Sequence, residues 1–121
     1  MNLTNEEMIN RLTERINELE EENTEMLREK HVIIPTCRKA VDTFGKVYEM
    51  NVAIEEMGEL IRALTKVIRG KPDFDNVAEE IADVEIAMEE LKYAFNNANQ
   101  VKEWKHRKIL RLSEKIIRGY D

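Results

Sequence analysis

Apolar residues recur at spacings of three and four along most of this chain, and no stretch alternates convincingly enough to read as a strand. The first helical stretch spans residues 4–30. Thr4 followed by Glu7 reads as a capping box, and Ile9, Leu12, Ile16, Leu19, Asn23, Met26, Lys30 and Ile33 then continue at three and four. With Ile9 at heptad position a, Ile16 and Asn23 also fall at a, and Leu12 and Leu19 fall at d. Ile at a with Leu at d favours two parallel strands, and a single Asn at a fixes register. Arg15 at g can pair between chains with Glu20 at the next e. A lone amphipathic helix packed on its own domain would show the same stripe, so both readings stand at this point.

Pro35 predicts a break over residues 31–35. Thr36 can cap a short helix that ends at Phe44, ahead of Gly45. A second long helix is expected over residues 46–69, stopped by Gly70 and Pro72. Asn76 with Glu79 predicts a restart, running to Phe95, and Asn96, Asn97 and Asn99 mark a turn. The last helix is expected over residues 100–117, before Gly119. Four Gly and two Pro in 121 residues leave little room for the turns of a β fold. The expected class is all-α: an antiparallel helical bundle, residues 32–121, preceded by a coiled-coil-like helix, residues 1–31. Helices this few cannot easily enclose both a core and a site, so oligomerisation, as a homodimer or homotetramer, is expected to complete the bundle.

Charge and cysteine content narrow the function classes. A net charge of −6 argues against nucleic-acid binding. No apolar run has transmembrane length and none near Met1 resembles a signal segment, so no membrane partner is expected. Cys37 stands alone, which excludes an internal disulfide and fits a reducing, cytoplasmic location.

The chemistry lies in two acidic pairs of one shape, Glu56-Met57-Gly58-Glu59 and Glu80-Ile81-Ala82-Asp83. Acids three apart sit on neighbouring turns of one helix face. At 100° per residue, Ile54, Met57, Leu60, Ile61, Leu64, Val67 and Ile68 form an apolar arc on the second long helix, widened by Val52 and Ala63. Glu56 falls inside that arc and Glu59 just beyond its edge. On the third, Val77, Ile81, Val84, Met88, Leu91 and Phe95 form the arc, widened by Ala87 and Ala94; Glu80 falls inside and Asp83 beyond the edge. An unpaired carboxylate on an apolar face costs on the order of several kcal/mol. Two helices folded back on each other would bring four carboxylates together, and these cannot all stay ionised without a counter-charge. A Lys or Arg partner for each inward acid is one answer. A divalent cation, Mg²⁺ or in its place Mn²⁺, is the other, and Mg²⁺ held by carboxylates usually implies a phosphate substrate.

The stretches Ile54-Glu55-Glu56-Met57-Gly58-Glu59-Leu60 and Glu79-Glu80-Ile81-Ala82-Asp83-Val84, twenty residues apart from Glu59 to Glu80, resemble the MazG-like all-α nucleoside triphosphate pyrophosphohydrolases. The family pattern is E-x-x-E, a spacer, then E-x-x-D, and the likeness covers residues 36–117. The resemblance implies an enzyme that cleaves a ribo- or deoxyribonucleoside triphosphate to the monophosphate and pyrophosphate, in nucleotide-pool control. It implies Glu56, Glu59, Glu80 and Asp83 as Mg²⁺ ligands and Glu55 as the extra acid that orients or activates water. Lys105, Lys108 and Arg111 resemble the family's phosphate-contacting positions; Lys105 suits a solvated basic face better, whereas Lys108 and Arg111 are the expected substrate contacts. Many relatives carry Gln about six residues before the double Glu, where Glu49 stands here, so base recognition does not carry over. A different class of function, a coiled-coil adaptor whose bundle is catalytically silent, would account for the heptads but not for a complete acid set.

Overall fold

The computed structural model describes residues 2–119. They are all-helical, with no strand among the described residues. In order come α1 (Asn5–Arg28), a π turn (Glu29–Ile33), α2 (Ile34–Phe44), α3 (Lys46–Ile68), α4 (Phe74–Ala94) and α5 (Ala98–Arg118). Contacts divide the chain into two compact units, Met1–Thr36 and Cys37–Asp121.

In the first unit the capping box forms. The Glu7 amide donates to Thr4 Oγ1 at 3.2 Å, and the Thr4 amide donates to Glu7 Oε2 at 3.1 Å. No residue of α1 is buried. The break expected over residues 31–35 is not found. The Ile34 amide instead donates five residues back, to the Glu29 carbonyl. Pro35 has no amide to offer, and its ring would crowd the carbonyl four residues earlier, that of His31. One wide turn relieves that crowding, a common use of π geometry, and helical winding resumes through Pro35. Thr36 therefore lies inside α2 and caps nothing.

In the second unit α2 rests on α4. Cys37 and Val41 are its buried residues, and Cys37 Sγ sits 3.9 Å from the Ile86 carbonyl. The Tyr93 hydroxyl donates to both Asp42 carboxylate oxygens, at 2.8 and 3.0 Å, and the Arg38 guanidinium lies 5.5 Å from the Tyr93 ring centre. Gly45 separates α2 from α3 with φ +92°, a value open mainly to glycine.

Helices α3 and α4 form a hairpin around residues 69–73. Gly70, at φ +79°, closes α3 in a Schellman motif: its amide donates to the Val67 carbonyl and the Lys71 amide to the Lys66 carbonyl. Asp73 opens α4 by accepting from the Asn76 amide at 3.1 Å, so the helix starts before the predicted Asn76 cap. Asn96, at φ +50°, ends α4 in a second Schellman motif, with Asn96 donating to Tyr93 and Asn97 to Lys92.

The face that meets across the hairpin keeps most of the arc predicted for α4, with Ile81 and Phe95 exposed, but on α3 only Val52, Leu60, Ala63 and Val67 of the predicted arc are covered. Its buried residues are Glu49, Ala53 and Ala63 from α3 and Glu80, Ala87 and Glu90 from α4. Leu60, Val67, Val84, Met88 and Leu91 are half-buried beside them. Ile54, Ile61, Leu64 and Ile68 stay exposed, Ile61 at 65% and Ile68 at 85%. Small side chains such as alanine suit close packing of two helices, and the bulkier Ile side chains of α3 lie outside this face. Among the described residues no large side chain is fully buried. Helix α5 contributes no buried residue, and Trp104, Ile109, Leu112 and Ile116 are exposed on it.

A larger side chain at the alanine seam should force the helices apart. Ala53→Leu is expected to lower unfolding free energy by about 1–3 kcal/mol. The same change at exposed Ala78 should stay within about 0.5 kcal/mol. Urea denaturation at fixed protein concentration reads both.

Candidate metal centre

The hairpin brings Glu56, Glu59, Glu80 and Asp83 to one place. One carboxylate oxygen from each lies within 4.8 Å of the other three. The acids three apart supply two ligands from each helix, and the antiparallel register sets Glu56 against Asp83 and Glu59 against Glu80. Burial follows the inward and edge positions read from the sequence. Glu80 is buried, Glu56 and Asp83 are half-buried, and Glu59 is exposed.

Two oxygens in this group, Glu56 Oε2 and Glu80 Oε2, are shielded from solvent and have no hydrogen-bond partner. No Lys or Arg forms an ion pair with the four acids among the described residues; the pairs that do form are Arg15–Glu18 and Lys92–Glu89. Neither inward acid therefore has a cationic partner among the described residues. Burial pushes the Glu56 carboxyl above its ordinary value, and the charges of Asp83 and Glu59 push it further. Burial likewise raises Glu80, helped by the charge of Glu59, a hydrogen bond with Glu59 and the charge of Asp83. Both shifts have the same cause: burial and neighbouring negative charge disfavour the ionised form, and a proton or a cation would offset that charge.

A divalent cation fits that demand. Four carboxylates form a hard oxygen donor set, suited to Mg²⁺ or Mn²⁺. The two orphaned oxygens are the kind of buried acceptor that a cation satisfies and an apolar neighbour does not.

The other sequence-derived residues lie outside this cluster. Glu55 is exposed on α3, next to the group, and its charge also raises Glu56. Lys108 and Arg111 are exposed on α5, and neither forms an ion pair with the four acids among the described residues. Two further acids went unremarked as core residues. Glu49 and Glu90 are 4% and 9% exposed, as buried as the alanines between them and the four acids. Their signal was present in the spacing, since Glu49, Ala53, Glu56, Leu60, Ala63 and Val67 continue one stripe at three and four. Gly58, beside Glu59, is exposed, and a Cβ there would meet nothing within 4 Å.

Comparison with protein-family models, with curated proteins and with solved structures gives no significant match for this chain.

The raised carboxyls fix the sign of a pH effect. The folded protein holds protons at Glu56 and Glu80 more tightly than the unfolded chain does, so their contribution to stability is present below the ordinary carboxylate value of 4.5 and is lost as pH rises through the raised values. Glu80→Gln is expected to flatten this fall in the metal-free protein and to raise its melting temperature at neutral pH. Added Mg²⁺ should stabilise the parent chain at neutral pH and leave the variant nearly unmoved. Thermal melts across pH, with and without EDTA, check all three outcomes.

Proposed function

We propose that this protein is a Mg²⁺-dependent nucleoside triphosphate pyrophosphohydrolase of the MazG-like kind, releasing pyrophosphate and a nucleoside monophosphate. The observation that carries the proposal is the convergence of Glu56, Glu59, Glu80 and Asp83 around two buried, unpartnered oxygens. The Glu-Glu-Met-Gly-Glu-Leu and Glu-Glu-Ile-Ala-Asp-Val contexts supply the reaction class by resemblance.

In this reading the four acids hold the cation, which when bound supplies charge neutralisation, polarisation of phosphoryl oxygens and a more acidic water. The protein's own work is positional. Two helices clamped through alanine fix the four carboxylates before substrate arrives, so little reorganisation is left for the reaction. Glu55, exposed beside Glu56, accepts the proton of the attacking water. Gly58 leaves the surface beside Glu59 open to a phosphate chain. Lys108 and Arg111 take phosphate oxygens by charge-assisted hydrogen bonds. The acid residues repel a polyphosphate unless cation and basic side chains offset them, so both are needed together.

The same reading includes association. Helices α3, α4 and α5 leave large aliphatic side chains exposed, among them Ile54, Ile61, Ile68, Ile109 and Ile116, and association is one way to cover such surface. A homodimer or homotetramer that covers Ile54, Ile61 and Ile68 completes the antiparallel bundle and brings α5 to a site. A cytoplasmic nucleotide pool is the matching location; no helix of the described residues is long and apolar enough to cross a membrane.

Incubation with a panel of ribo- and deoxyribonucleoside triphosphates should yield pyrophosphate with Mg²⁺ and none with EDTA. Glu56→Gln is expected to reduce turnover on the order of a hundredfold or more with helix content unchanged. A catalytically silent adaptor would show no turnover at all and would tolerate the change.

Substrate contact by the last helix is tested separately. Lys108→Ala and Arg111→Ala should each raise KM by about ten- to a hundredfold, the value of losing about 1.5–3 kcal/mol in a charged hydrogen bond. An unchanged KM would return both residues to the solvated face.

A further inference from the structure

Helix α1 is a 24-residue helix with a formed capping box and no buried residue. At 1.5 Å per residue it is about 36 Å long, and most helical stability in proteins comes from packing of an apolar face. Its apolar stripe is intact and uncovered: Ile9, Leu12, Ile16, Leu19 and Met26 are 47% to 70% exposed. The polar face opposite carries Glu14, Glu18, Glu21 and Glu25, all exposed, which disfavours nucleic acid or an anionic lipid surface as the occupant.

We propose that α1 pairs, parallel and in register, with α1 of a second copy of this chain. Ile9 and Ile16 at a, with Leu12 and Leu19 at d, are the residue choice of a parallel two-stranded coiled coil. Charge complementarity argues for the same occupant. Arg15 at g meets Glu20 at the following e of the second copy, and the two-fold axis makes that pair twice. Within one chain Arg15 bonds Glu18 at 3.0 Å, with both side chains about 60% exposed, a contact weak enough to exchange. Asn23 fixes direction. In a parallel pair it faces its own copy and the two amides bond each other. In an antiparallel pair it faces an apolar d residue and leaves a polar group unpaired. The seam ends where the structure changes: Lys30 occupies the next a, inside the π turn, whose extra residue breaks the heptad phase. This association needs nothing from the acidic site and stands whether or not the protein hydrolyses nucleotides.

Single cysteines test it in the full chain with Cys37→Ala. Under mild oxidation Leu12→Cys and Leu19→Cys are expected to give at least tenfold more covalent dimer than Glu14→Cys, which lies on the outer face. Adding Ile16→Asp should abolish the Leu12→Cys link while circular dichroism shows the remaining helices intact. If Cys37→Ala does not fold, the same comparison with Cys37 retained decides, because that buried thiol is common to all variants. Equal linking of Leu12→Cys and Glu14→Cys, no link at Leu12→Cys, or linking only when Leu12→Cys is mixed with a Leu19→Cys chain would each overturn the proposal.

Discussion

Four carboxylates lie between two helices that touch through alanine, and most of the second unit follows from that contact. Ala53, Ala63 and Ala87 let the backbones of α3 and α4 come close. No Lys or Arg forms an ion pair with the four acids among the described residues, so their mutual repulsion is not relieved there. The electrostatic tension at Glu56 and Glu80 comes from burial together with the neighbouring acids.

The same geometry explains the surface. Turning the alanine stripe inward turns Ile54, Ile61 and Ile68 outward, and α5 adds its own uncovered apolar residues. The hydrophobic drive that would close a core in a larger domain is left unspent on the outside of this one. Site and surface are therefore two results of one rotation of α3: the face that gathers the acids is chosen at the expense of the face that would bury the aliphatics.

Much of this was legible in the residues, and what was not has specific causes. The capping box at Thr4 and Glu7, the stop at Gly70 and the turn at Asn96 and Asn97 are local hydrogen-bond chemistry, and the structure forms each of them. The all-helical class followed from spacing and from the scarcity of Gly and Pro. The meeting of Glu56, Glu59, Glu80 and Asp83 followed from helical periodicity and one turn. Pro35 misled because the rule that breaks a helix assumes α geometry, and a single π turn evades it. The start of α4 was misplaced because Asp73 and Asn76 are both good caps, and only the folded turn selects between them. The packing face of α3 was misjudged because hydrophobicity ranks Ile above Ala, whereas helix contact distance ranks them the other way. Glu49 and Glu90 escaped notice for the same reason, since a buried acid is invisible to any reading that equates charge with solvent.

The two Schellman-closed ends and the matched positions of the acids have a bearing on how such a chain can change length. Glu59 lies nine residues before the end of α3 at Ile68, and Glu80 six residues after the start of α4 at Phe74. Adding one residue inside α3 or α4, between an acid and the turn, rotates that acid by about 100° away from its partners. Residues added to the turn itself rotate nothing, because the helices are held by their own seam. Insertions and deletions are therefore filtered by position: the loop can grow, shrink or carry a grafted segment, while each helical arm must keep its phase.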